Sequence, residues 1–167
     1  MGGRCGGDHG LMATFSGSAE FAGFSAFELT IRRLGGIASR REILRASPLS
    51  ETDFWFALHY GRLDRVRQGW YAARDLPADA RAAWKAGGPL ACVSALAHYG
   101  MLEPGDPAVE PALHICLPAD GHVGRAAPDN LVVHWSTTDR YSGSRRAVSP
   151  AVALRQARQC GRRGVHA

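Results

Sequence analysis

SRREILRASPLSETDFWFALHYGRLDRVRQGWY, residues Ser39 to Tyr71, is the stretch on which the fold turns. Ser39 and Glu42 have the S-x-x-E spacing of a capping box, in which each side chain accepts a backbone N–H left free at the start of a helix. The box predicts a short helix with Ile43 and Leu44 facing inward and Arg40, Arg41 and Arg45 outside. Ser47-Pro48 closes it, because the residue before a proline is driven out of helical ψ. Ser50 and Asp53 form a second, related cap, and Leu49 is placed to staple onto Phe54 at the fourth helical position. That helix runs to about Tyr60, where Gly61 stops it. Beyond it, β-prone residues flank Arg67-Gln68-Gly69, with Gly69 suited to the left-handed position of a hairpin turn. Leu63 and Val66 are three apart and break strict alternation, so the strand is expected to begin after Leu63. Arg65 and Arg67, two apart, are expected to project from one face of the ribbon.

Upstream, Ser25 and Glu28 repeat the capping box. Phe27, Thr30, Ile31 and Leu34 then mark one helical face, and Gly35-Gly36 ends the helix. Three capped helices followed by a basic hairpin spell a winged helix-turn-helix over residues 25–74. Residues 1–24, rich in Gly, Ala and Ser, are expected to form a flexible arm, with Met12 an alternative start. Residues 75–89 hold a linker and a helix from about Ala78 to Ala86, broken by Gly87-Gly88-Pro89. Residues 90–160 read as a small α/β region: a buried helix from Leu90 to Tyr99, a proline-rich loop from Glu103 to Pro111, strands LHICL (113–117) and LVVHW (131–135), and a last helix opened by Ser149-Pro150. The final residues, 161–167, are expected to be a frayed tail. The fold class is therefore α+β.

The chain has 167 residues, 46% of them hydrophobic, enough for one ordinary domain or two small ones. Lys85 is the only lysine, so the basic residues are almost all arginine. Between Ile31 and Arg74 nine arginines face four acids, an excess of five that equals the net charge of the whole chain. A basic surplus confined to one module is what a nucleic-acid-facing unit carries, although charge alone does not separate it from an ordinary solvated face. Four scattered cysteines (Cys5, Cys92, Cys116, Cys160) include no CxxC pair, which argues against a zinc ribbon or a redox motif. Cys92 and Cys116 sit in apolar runs, as buried thiols of a reducing compartment do. No apolar run is long enough to span a membrane and no signal pattern opens the chain, so a cytoplasmic location is expected.

In a helix-turn-helix the second helix enters the major groove and a wing grips the flank. Here that helix would present Thr52, Trp55, Phe56 and His59, with Arg62 at its end. Thr52 can read a base edge and His59 can donate to base or phosphate; Arg65 and Arg67 on the wing, with Arg40, Arg41 and Arg45, can neutralise phosphates, and Arg62 completes the expected DNA-binding set. Glu51 and Asp53 repel phosphate at the helix start but also complement its dipole. Trp55 and Phe56 suit a core or a protein contact equally. No catalytic residue, metal or cofactor is expected. His114 and Cys116, two apart on a strand, lack a second ligand pair. Ser94 and His98 share a helix face without a third orienting group. There is no phosphate-cradling GxxxxGKS/T loop.

GGIASRREIL, GRLDRVRQGWYA, AGGPLACVSALAHYGML, LHICLP and LVVHW together resemble the AbiEi-like antitoxins of type IV toxin–antitoxin systems, over about Leu34 to Trp135. The resemblance implies a winged helix that binds operator DNA and represses its own operon. It also implies a second region acting against a nucleotidyltransferase-like toxin. Longer members of the group continue into a nuclease-like domain, which needs an Asp/Glu-x-Lys pair. Lys85 is preceded two positions back by Ala83, so that nuclease is expected to be absent. The expectation is a non-enzymatic DNA-binding regulator with double-stranded operator DNA as partner and no membrane. The alternatives are a module that binds a toxin without DNA specificity, and an inactive remnant of a nuclease fusion.

Overall fold

A computed structural model describes residues 26–102 and 112–163. The Ser25 half of the first capping box, the 1–24 arm, the 103–111 loop and residues 164–167 lie outside the described residues. The chain is mixed α+β. Helix α1 (26–33) leads through the Gly35-Gly36 turn into strand β1 (Ile37–Ser39). Helices α2 (Arg40–Ala46) and α3 (Glu51–His59) follow, then the hairpin β2 (Asp64–Arg67) and β3 (Trp70–Ala72).

Both serine caps close as their spacing predicts. Ser39 Oγ accepts from the Glu42 N–H while Glu42 Oε2 accepts from the Ser39 N–H at 2.8 Å. Ser50 and Asp53 do the same, at 2.9 Å for the acid. Each cap satisfies two N–H groups that the helix itself leaves unpaired. Leu49 packs with the core that holds Phe54, as a hydrophobic staple does. Gly35 and Gly36 both have positive φ, +90° and +88°, which lets the chain reverse sharply into β1. The three-residue strand β1 was not foreseen. It is too short to show a period, and only its antiparallel pairing with β3 defines it.

The antiparallel sheet has the order β1-β3-β2 and buries both faces. Alternate residues therefore serve two cores. Ala38, Tyr71 and Ala73 join Phe27, Ile31, Ile43, Phe54 and Ala57 under the three helices. Phe54 is the hub there, meeting Phe27 and Tyr71 edge-on at 5.9 and 4.9 Å between ring centres. From the other face, Ile37, Val66 and Ala72 enter a second core with Trp84, Leu90, Ile115, Leu117 and Val148.

Helix α4 (Ala78–Ala86) buries Ala80, Ala83, Trp84 and Ala86 in that second core, so the 75–89 segment is packed structure. Gly88 follows at a close approach, since a Cβ there would lie 2.4 Å from the Cys116 carbonyl oxygen. Helix α5 (Cys92–His98) precedes strands β4 (Leu113–Leu117) and β5 (Leu131–Trp135), which pair in parallel. Parallel strands need a crossover; residues 118–130 supply it without a helix, packing across the end of α4 through the Gly124 N–H to Ala86 O bond of 2.7 Å. A short helix α6 (Thr137–Arg140), capped by Ser136, was also unforeseen. The last helix, α7 (Pro150–Arg163), runs past Cys160, so the first residues expected in a frayed tail are helical. No helix of the described residues is long and apolar enough to cross a membrane.

Candidate nucleic-acid interface and a buried cysteine-histidine cluster

The outer face of α3 is open. Thr52, Trp55, Phe56 and His59 are exposed and line one shallow depression together with Leu58. Trp55 and Phe56 keep about half of their surface, at 48% and 49% exposed, and Tyr60 keeps 62%. Phe56 and Tyr60 stack at 6.4 Å, giving this face an aromatic character that the threonine and histidine only interrupt.

The arginines separate by what holds them. Arg41, Arg45 and Arg65 are exposed and have no acidic partner among the described residues. Arg40 is committed: it pairs with Glu51 and lies 5.1 Å from the Trp55 ring centre. That pairing also neutralises one of the two acids at the start of α3. Arg62 is half-buried where α3 ends. Arg67 departs from expectation. A β-bulge falls between Arg65 and Arg67, and the Arg67 guanidinium donates to the Gly87 carbonyl at 2.5 Å. An extra residue in one strand re-aims the side chains that follow it. Arg65 and Arg67 therefore do not work together; Arg65 meets solvent and Arg67 ties the hairpin to the Gly87 turn.

The α1–β3 unit is clamped to the rest of the chain on its inner side. Arg145 makes a forked contact with Glu42, at 2.5 and 3.0 Å, and also reaches the Ile37 carbonyl at 3.3 Å. The Arg145 guanidinium, with help from the Ser39 cap, holds the Glu42 carboxyl down at about 2 against the pull of partial burial. Trp70 of the hairpin packs on Trp84 of α4 at 4.5 Å, and Trp84 Nε1 donates to the Arg145 carbonyl at 2.7 Å.

A second constellation lies in the other unit. Cys92, His114, His134 and Cys160 each offer one ligand atom, and these atoms all lie within 4.8 Å of one another. They come from the first residue of α5, from β4, from β5 and from α7. His114 Nδ1 and His134 Nε2 are 3.2 Å apart, and Cys160 Sγ is 3.7 Å from the same His134 nitrogen. Cys92 is fully buried and has a φ of +49°, rare for a residue with a side chain. Its N–H donates to Oε1 of the buried Gln156 at 3.0 Å, which helps fix that conformation. Burial, with Cys160 adding to it, pushes the Cys92 thiol up to about 12. Two thiols and two imidazoles in this arrangement are a donor set for a tetrahedral divalent metal.

Ligand pairs close in sequence are the usual mark of such a site, and the close pair in this chain is misleading. His114 is a member of the cluster, but Cys116 is not; its thiol donates to the Ser136 carbonyl at 3.6 Å instead. The four residues are separated by long intervals that match no linear motif, and only the fold brings them together. Ser94 and His98 do not face each other as a nucleophile and base would. Ser94 Oγ accepts from the His114 N–H at 2.9 Å, and His98 Nδ1 lies 2.6 Å from Asp79. Compared with protein-family models and with curated proteins, the chain gives no match.

Proposed function

We propose that this chain is a non-enzymatic DNA-binding regulator built on a winged helix-turn-helix, repressing its own operon as the AbiEi-like antitoxins it resembles do. One observation carries the reading. In the order α1-β1-α2-α3-β2-β3, with the sheet ordered β1-β3-β2, α3 buries Phe54 and Ala57 and keeps Thr52 and His59 exposed on its open face. A helix so presented fits a major groove, and exposed arginines at Arg41, Arg45 and Arg65 supply charge for phosphates. Threonine and histidine on the helix are the groups that read base edges, while the arginines set orientation.

The test is a binding titration on the DNA upstream of the chain's own gene. Binding should be at least about a thousandfold tighter than to random duplex at the same salt. Thr52→Ala or His59→Ala should change which sequence is preferred, by about 1–3 kcal/mol at the affected base pair. Equal affinity for upstream and random DNA defeats the proposal.

A second reading draws on the half-exposed Trp55 and Phe56 beside Tyr60. Exposed, stacked aromatics favour a protein contact, since large apolar side chains anchor protein interfaces. In that reading α3 docks a partner, for which the resemblance offers a nucleotidyltransferase-like toxin. Co-purification of such a toxin, abolished in Trp55→Ala and accompanied by no preference for the upstream DNA, would select this reading over the first.

A further inference from the structure

We propose that Cys92, His114, His134 and Cys160 form a four-ligand zinc site that staples the C-terminal unit together. Ideal tetrahedral zinc with bonds of about 2.0–2.1 Å to nitrogen and about 2.3 Å to sulfur sets nitrogen pairs about 3.3 Å apart and nitrogen–sulfur pairs about 3.6 Å apart. The corresponding separations are 3.2 Å for His114 Nδ1 to His134 Nε2 and 3.7 Å for His134 Nε2 to Cys160 Sγ. All four atoms lie within 4.8 Å of one another, so a single ion drawn in among them can reach every one once the side chains close around it.

The chemistry selects the metal. Magnesium and calcium take oxygen ligands, and none of the four is an oxygen. Two thiolates and two imidazoles suit zinc, and four atoms this close together leave no room for bridging sulfides between two irons. With four protein ligands the coordination shell is complete, which makes the site structural and leaves no open position for a substrate or an activated water.

Burial gives the ion something to do. The second core contains many small residues: Ala80, Ala83, Ala86, Ala91, Ala95, Ala147 and Ala153 are all fully buried. Each alanine buries little apolar area, so the larger side chains Trp84, Leu90, Ile115 and Leu117 carry most of the hydrophobic burial there. A metal bond set joining α5, β4, β5 and α7 adds a constraint that the side chains alone do not provide.

The full chain, expressed in a reducing cytosol and purified without chelator, should retain about one equivalent of zinc. Replacement with cobalt should produce strong visible bands of a tetrahedral ion and a thiolate-to-cobalt charge-transfer band in the near ultraviolet. Cys160→Ser and His134→Ala should each weaken zinc by more than the roughly 10- to 100-fold loss typical of outer-shell changes. His134→Cys, which keeps a ligand, should retain the ion and intensify the charge-transfer band. Cys116→Ser, whose thiol faces the Ser136 carbonyl and not the cluster, should leave metal content unchanged. The wild-type measurements stand even where a variant fails to fold. Wild-type protein that neither retains nor takes up zinc overturns the proposal. So does a Cys92–Cys160 disulfide in the freshly isolated chain, or a cobalt spectrum unchanged by Cys160→Ser in a folded variant.

Discussion

The two halves of this molecule are specified in different ways. The N-terminal half is written locally: Ser39 with Glu42 and Ser50 with Asp53 each start a helix within one turn, and Gly61 and Gly69 end elements where positive φ is required. The C-terminal half is written at a distance. Its parallel β4–β5 pair needs a crossover, its core is rich in alanine, and its cysteine-histidine cluster joins four elements. Local signals fix where helices begin, and long-range contacts decide what they are held against. The sheet β1-β3-β2 is where the two meet, since one face serves each core.

A sheet shared by two cores predicts that the halves unfold as one cooperative structure, which the largest substitutions can test. Phe54→Ala empties the hub of the first core and Trp84→Ala the largest buried side chain of the second, each at a cost of about 3–5 kcal/mol. Urea unfolding followed by tryptophan fluorescence and by far-ultraviolet circular dichroism should show one coincident transition in both variants. Two separated transitions would mean that the halves are independent.

The Arg145–Glu42 clamp is the next largest effect and carries a pH signature. The Glu42 carboxyl sits at about 2 in the folded chain, below its ordinary 4.5. A depressed acid contributes stability that is fully present above its unfolded value and lost as pH falls through the folded one. Stability should therefore decline between about pH 5 and pH 2 in wild type. Glu42→Gln should flatten that decline and lower neutral stability by about 1 kcal/mol, a modest figure because the pair is about one-third exposed. A thermal-melt series across pH, identical in slope for the two proteins, would show that the clamp does not stabilise the fold.

The smallest effects belong to the caps. Ser50→Ala removes one cap oxygen at an exposed helix start and should cost about 0.5 kcal/mol, the low end for a lost cap, with Ser39→Ala similar. Chemical denaturation resolves this difference, and a loss no greater than at an uncapped surface serine would show the caps to be incidental.

The legibility of the sequence follows the same division. Elements with their own stop and start chemistry are readable: α2, α3, the Gln68-Gly69 turn, α4 between Pro77 and Gly87, and the start of α7 at Pro150. Strand β1 and helix α6 are not, because three or four residues cannot show a period and tertiary pairing defines them. The bulge that separates Arg65 from Arg67 is hidden for a related reason, since register is a property of two strands. The cysteine-histidine cluster is the furthest out of reach. Its members look like isolated buried residues in sequence, and the close pair His114 and Cys116 points to a cysteine that faces elsewhere. The exposed face of α3 is visible as a pattern, but that Arg40 spends its charge on Glu51 is not.

The hairpin offers the sharpest test of whether the N-terminal half grips DNA while the other half holds it in place. Arg65 faces solvent and Arg67 is bound to the Gly87 carbonyl. What should be determined is how affinity for the upstream DNA depends on salt concentration, in wild type, Arg65→Ala and Arg67→Ala. Removing one arginine that neutralises a phosphate should reduce the logarithmic salt slope by about 0.9. That reduction is expected for Arg65→Ala, with an unchanged slope for Arg67→Ala. Equal reductions in both variants, or none in either, would show that the hairpin does not grip DNA through Arg65 alone.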